Sequence, residues 1–302
     1  MRGRPGRPLA LIAALAAAAA LAAGCEHRAQ DQPAPGEAAG TIVATADYGA
    51  VPLLDVRAAP GQSVMRALRG ATEVETGYGG GFVAGMLGRE SDLEGTRDWF
   101  FFVDGVSASV SAEQVELSAG EAVWWDYRDW GALMDTPAVV GQWPAPFAQA
   151  DGRPAEPVLA EPPLAEALRT EGADVTGAAS PWRVRVGSSE SLARRDPAWR
   201  RALDDPDRAG LTVAIEDERV TALGADAGKR RPVPGARALA AAVPTGTEPG
   251  EGALLAVAGL DEAAARAAAQ AIAADPSLLT GRYAVAFDGE GRPLQAGGRS
   301  GP

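Results

Sequence analysis

The chain has 302 residues, room for about two domains, and 46% of them are hydrophobic, the ordinary level for a globular protein with a substantial core. Its formal charge is −12, from 28 basic and 40 acidic residues. A surface this acidic suits neither a phosphate backbone nor an anionic lipid, which excludes nucleic acid as a partner.

Residues 1–24 differ in kind from the rest. Arg2, Arg4 and Arg7 form a cationic start, and residues 9–23 are an unbroken apolar run rich in Ala. That run is shorter than the ~20 residues needed to span a bilayer. A basic start, a short apolar stretch and small residues before a cut site predict an export signal. Cys25 is the only cysteine, so it has no partner for an internal disulfide. The segment Leu21-Ala22-Ala23-Gly24-Cys25 resembles a bacterial lipobox, with Leu four residues before the Cys where three is usual. The resemblance implies a diacylglyceryl group on Cys25 and a protein held on the extracytoplasmic face of the cell membrane. The other reading is an ordinary signal peptide cut nearby, with Cys25 incidental. Cleavage removes three Arg, leaving 25 basic against 40 acidic residues, a charge of about −15. Residues 25–40 are polar and rich in Ala, Pro and Gln without periodicity, which predicts a flexible tether. The only histidine, His27, lies in it.

Residues 41–45 and 51–56 predict two short strands joined by a turn near Tyr48-Gly49. Ser63 is placed to cap a helix that presents Val64, Ala67 and Leu68 on one face and stops at Gly70. The glycine-rich stretch 75–81 lacks the G-x-x-x-x-G-K-S/T pattern of a phosphate-binding loop, so its glycines predict a tight turn or a close backbone approach. Residues 99–103 and 106–109 flank Asp104-Gly105, the pattern of a hairpin with a type I′ turn. The strand 121–127 alternates so that Trp124, Asp126, Arg128 and Trp130 share one face. Val123, Trp125, Tyr127 and Asp129 share the other. Residues 99–130 hold four of the seven Trp and three of the six Phe, so this stretch is either a packed core or a stacking surface.

The order β-β-α-β-β-β-β, with one helix across a small mixed sheet, is β-grasp-like. The pieces that carry a resemblance are Ser63-Val64 with Ala67-Leu68, Glu75-Thr76-Gly77-Tyr78-Gly79, Gly81-Phe82-Val83, Trp99-Phe100 with Val103-Asp104-Gly105-Val106, and Gly120 followed by Val123-Trp124-Trp125-Asp126-Tyr127-Arg128-Asp129-Trp130. In this order they resemble the transcobalamin-like C-terminal domain family over residues 41–130. In vitamin B12 carriers that domain is the smaller half of a clamp over the corrin ring. The larger half is a helical barrel, which nothing in this chain resembles.

After Trp130 the proline-spaced residues 136–147 predict an extended connector packed on the aromatic sheet. Strands are then expected at 157–159, 182–187, 211–215, 220–223, 253–259 and 283–287. Helices are expected at 163–171, from Ser189 or Ser191 to Leu203, at 236–242, and from an Asp261 cap to Ala274. This alternation predicts an α/β domain. The expected chain is therefore α+β: a signal at 1–24, a tether at 25–40, a β-grasp-like domain with its connector at 41–148, an α/β domain at 149–290 and a polar tail at 291–302.

Enzyme chemistry has little to work with. Beyond the tether there is neither His nor Cys, which excludes a Ser-His-Asp triad, Cys-His chemistry and a histidine zinc site. Asp126 and Asp129 fall on opposite strand faces and form no glycosidase pair. The arginines at 194, 195, 200 and 201 and the basic run 229–231 read as solvated surface. What remains is binding. The candidate ligand-binding set is Tyr78, Phe82, Trp99, Trp124, Trp125, Tyr127 and Trp130, with Cys25 as the lipidation site and no catalytic or metal-binding residue. The resemblance implies a cobalamin-like or other planar ligand, captured for a membrane transporter. The competing reading is a cell-surface structural or interaction module whose aromatic face binds a protein or docks the chain's own second half.

Overall fold

The computed structural model describes residues 39–131, 136–148, 157–224, 229–247 and 250–294. The signal, Cys25, His27, nearly all of the tether, the boundary near 149–153 and the tail from 295 lie outside the described residues. The described residues form helices and several sheets, a mixed α+β architecture. None of their helices is long and apolar enough to cross a membrane.

β1 (Gly40–Ala46) and β2 (Val51–Ala58) pair antiparallel. The turn between them places Asp47, Tyr48 and Gly49 at positive φ (55°, 60° and 80°). A bulky Tyr in that region is strained, and two long-range hydrogen bonds hold it: its amide donates to Asp126 Oδ2 (3.1 Å) and its hydroxyl to the Asp129 carbonyl (2.6 Å). α1 (Val64–Ala71) starts where expected, with Ser63 Oγ accepting from the Arg66 amide (3.2 Å). It runs one residue past Gly70, where the Thr72 amide closes the last turn on the Leu68 carbonyl (2.9 Å).

The glycine-rich stretch is a hairpin. β3 (Val74–Gly77) and β4 (Phe82–Met86) flank a short 3-10 turn at Tyr78–Gly80, and β5 (Arg89–Glu90) completes a three-stranded antiparallel sheet. β6 (Arg97–Val103) and β7 (Val106–Ser107) meet at Asp104-Gly105, both at positive φ (48° and 82°), as a type I′ turn requires. β8 (Ala122–Asp129) lies at the centre of a five-stranded sheet ordered β2-β1-β8-β6-β7. It runs parallel to β1 and antiparallel to β6, with Val43 opposite Trp124 and Trp124 opposite Phe102.

The second half contains β9 (Val158–Ala160), α2 (Leu164–Thr170), β10 (Trp182–Ser188), α3 (Ser189–Arg195), α4 (Pro197–Asp204), β11 (Val213–Glu216), β12 (Arg219–Leu223) and β13 (Arg230–Pro232). β14 (Ala238–Pro244), β15 (Ala253–Gly259), α5 (Glu262–Ala274), β16 (Ala284–Phe287) and β17 (Pro293–Leu294) follow. Six strands form a sheet ordered β17-β16-β14-β15-β10-β9, and β11-β12-β13 form a smaller one. Apolar clusters cover the six-stranded sheet, one including Leu164, Leu168, Ala268 and Ile272, the other Leu192, Trp199, Val213 and Val220.

Two expectations change here. Residues 236–242 are alanine-rich and were expected to be helical, yet they supply β14, paired on both sides by β15 and β16. Alternation feeds Ala238, Ala240 and Ala242 into one cluster and Leu239, Ala241 and Val243 into the other, so tertiary burial overrides the helix preference of Ala. The single helix expected from Ser189 to Leu203 is two helices, broken at Asp196-Pro197. The Asp196 carboxylate caps α4 through the Ala198 amide (3.0 Å) and takes a forked pair of bonds from Arg183 (2.6 and 3.0 Å). Asp261 caps α5 as expected, accepting from the Ala264 amide (2.8 Å).

The connector packs more deeply than onto one sheet. Ala138 joins Tyr48, Phe102, Trp124 and Tyr283, whereas Val139, Val140 and Phe147 join the core of the second half. Gln142 ties it to the hairpin, accepting from the Gly105 amide (2.8 Å) and donating to the Ala122 carbonyl (2.7 Å).

Candidate functional site

The alternation of β8 sorts the predicted site residues. Trp124 is 1% exposed and packs against Tyr283 at 4.7 Å between ring centroids. Its indole nitrogen donates to Thr45 Oγ1 (2.7 Å), which in turn donates to Asp126 Oδ1 (2.6 Å). Asp126 also accepts from the Tyr48 and Gly49 amides (3.1 and 3.3 Å). Burial pushes its carboxyl up to about 6, against the opposing pull of the Thr45 bond, the Arg128 charge and those two amides. Arg128 is equally buried, its guanidinium 4.3 Å from the Phe100 ring centre and 5.3 to 5.4 Å from those of Tyr48, Phe102 and Tyr283. Cation–π attraction strengthens when the charge is desolvated in this way. This face is thus closed by the second half of the chain and leaves no open platform at Trp124.

The opposite face belongs to the core under α1. Val123, Trp125 and Tyr127 pack with Ile42, Val64, Leu68, Val83 and Trp99. Tyr127 donates to the Glu90 carbonyl (2.7 Å) and Trp99 to the Arg89 carbonyl (3.2 Å), so both polar tips are already bonded. At the rim of this core an open groove of about 450 Å³ is lined by Phe82, Trp99, Phe101 and Trp125, with Val110 and Gln114 across from them. Phe101 and Trp125 stack at 4.7 Å with 20° between their planes. Val110 is 47% exposed, a large apolar side chain turned to solvent at the groove. The Trp125 indole nitrogen is buried and has no hydrogen-bond partner among the described residues. Ser107, Ser109 and Ser111 line the same groove.

Of the predicted set, Phe82, Trp99 and Trp125 therefore come together. Tyr127 lies behind Trp99 (5.3 Å between ring centres), Trp124 faces the other way, and Trp130 is half-buried beyond the end of β8. Tyr78 falls in the 3-10 turn between β3 and β4, and its side chain lies outside the described residues. The sequence reading missed Phe101, Val110 and Gln114. For Phe101 the signal was available, since its neighbours Phe100 and Phe102 point the other way along a period-two strand. No cluster of three or more His, Cys, Asp or Glu side chains suited to a metal ion occurs among the described residues.

A family model described as a domain of unknown function (DUF4430) matches residues 61–129. That span runs from just before α1 to the end of β8 and contains every groove residue named above. No curated protein matches the chain. A solved structure of a candidate metal-binding protein from Ruminococcus gnavus is 17% identical, with a TM-score of 0.27, over 31% of this chain and 98% of that one.

Proposed function

We propose that this chain is an exported, lipid-anchored, non-catalytic binding protein whose ligand site is the groove formed by Phe82, Trp99, Phe101 and Trp125. The observation that carries the reading is the groove itself: half-buried Phe82 and Phe101, the latter stacked on Trp125, with hydroxyl groups at its edge and a buried indole N–H without a partner among the described residues. Ligand sites combine an apolar wall with a few placed polar groups in this way. The parallel β1–β8 pair at the centre of the sheet, with α1 laid across it, supports a β-grasp-like, transcobalamin-like unit. A planar cofactor of the cobalamin class is the ligand that this resemblance suggests, delivered to a membrane transporter. Acylation at Cys25 would tether the site to the extracytoplasmic face.

One observation favours the competing role. The Trp124 face is occupied by Tyr283 and the connector, so half of the aromatic strand serves to dock the chain's own second half. An interaction module would use the open groove for a protein in place of a cofactor.

Titration of the full chain with cobalamin, followed by intrinsic Trp fluorescence, tests the ligand. Quenching that weakens in Phe82→Ala while the melting temperature stays near wild type is expected. An unchanged spectrum at tens of micromolar removes cobalamin, and equal quenching in Phe82→Ala removes the groove. The mass of membrane-extracted protein decides acylation at Cys25.

A further inference from the structure

The groove exposes main chain as well as side chains. The Asp104 amide donates to the Ala122 carbonyl (3.1 Å), and the antiparallel β6–β8 ladder alternates from there. Phe102, Phe100 and Asp98 therefore turn their backbone groups to β8, whereas Val103, Phe101, Trp99 and Arg97 turn theirs to the outer edge of β6. Along that edge Val103 pairs with Val106, and the Phe101 carbonyl accepts from the Ala108 amide (3.1 Å). Arg97 exchanges two bonds with Asp92 (2.8 Å each), and the Trp99 amide donates to Asp98 Oδ1 (2.7 Å). The Trp99 carbonyl and the Phe101 amide remain, with no hydrogen-bond partner among the described residues. They flank Phe100, which lines the groove although its ring lies on the far face, 4.3 Å from the Arg128 guanidinium. What Phe100 presents to the groove is thus its backbone. An unpaired strand edge is a template for another chain.

We propose that the groove binds a short extended peptide by adding it to this edge of β6. The inference rests on the groove being the ligand site, and it takes the protein occupant over the planar cofactor. Laid parallel to β6, one peptide residue satisfies both open groups: its N–H donates to the Trp99 carbonyl and its carbonyl accepts from the Phe101 amide. That residue sits beside Phe100, so its two neighbours turn their side chains to the same side as Trp99 and Phe101. There they meet Phe82, Val110 and the Phe101–Trp125 stack, a wall that suits apolar side chains. Ala108 at one end of the open edge and Asp92 at the other leave room for about three residues.

The probe is acetyl-Leu-Ala-Leu-amide, titrated into the full chain to millimolar concentration with amide hydrogen exchange followed by NMR. Without peptide, the Phe101 amide should exchange faster than those of Phe100 and Phe102, which bond to β8. Peptide should bind and slow exchange at Phe101. Methylating the nitrogen of the central Ala removes the donor to Trp99 and should weaken binding by roughly 3- to 10-fold, the share of one hydrogen bond. Methylating the nitrogen of the first Leu, which points away from β6, should leave affinity unchanged, and Phe82→Ala should weaken it. Equal losses from the two methylations overturn the proposal, as does binding that leaves Phe101 exchange unaltered or is undiminished in Phe82→Ala. If cobalamin quenches the Trp fluorescence and no peptide binds, the groove stands as a ligand site and the peptide falls. If neither acts, both fall.

Discussion

The two faces of β8 carry the same kinds of side chain and meet different fates. On one, Trp124, Asp126 and Arg128 are sealed under Tyr48, Phe102 and Tyr283, with Thr45 linking the indole to the carboxylate. On the other, Trp125 and Tyr127 fill the core under α1, and only at its rim does aromatic surface reach an open groove. Aromatic density therefore did not separate covered rings from those at an open rim. A Trp is available to a ligand only where no other part of the chain has covered it, and on the Trp124 face the second half has done so.

The sharpest way to break this comparison is Trp124→Ala. Removing a fully enclosed indole and its bond to Thr45 should cost about 3–5 kcal/mol in urea unfolding. A loss below about 1 kcal/mol would mean that this face is open after all.

A second contrast is electrostatic, because the sealed face holds a carboxylate that burial disfavours. Asp126 is raised from 3.8 to about 6 in the folded chain. The sign follows: its contribution is fully present below about 3.8 and is lost as pH rises through about 6, since above that the folded state must bury the charge. The shift corresponds to about 3 kcal/mol. Asp126→Asn cannot ionise, so its stability relative to wild type should improve by up to that amount between pH 4 and pH 7. Parallel curves for the two proteins across that range would show that Asp126 is not desolvated as described.

The smallest effect concerns the link between the indole and the carboxylate. Thr45→Val strands the Trp124 N–H and removes one donor to Asp126, for an expected cost of about 1–3 kcal/mol. It should leave ligand response at the groove unchanged, because Thr45 lies on the sealed face. A parallel loss of groove binding would show that the two faces are coupled.

Local chemistry made much of the first half legible. Asp104-Gly105 called for positive φ at both positions, Ser63 supplied the one side chain able to cap α1, and period-two alternation placed Trp124 and Trp125 on opposite faces before any contact was known. Each of these features depends on neighbours a few residues away. Local preference alone favours a helix at residues 236–242, because the strand pairing that overrules Ala lies on β15 and β16, elsewhere in the sequence.

By itself, then, the sequence determined the strand alternation, the turn and cap chemistry, the absence of His and Cys beyond the tether and the mixed α+β character. Tertiary structure alone decided that the second half covers the Trp124 face and that Phe101 reaches the rim of a groove. Covering Trp124 requires Tyr283 and Ala138 to arrive from distant parts of the chain, and exposing Phe101 with Val110 requires that nothing else arrives. Burial belongs to the whole assembly of contacts, and local pattern carries no record of which distant side chain will supply the missing wall.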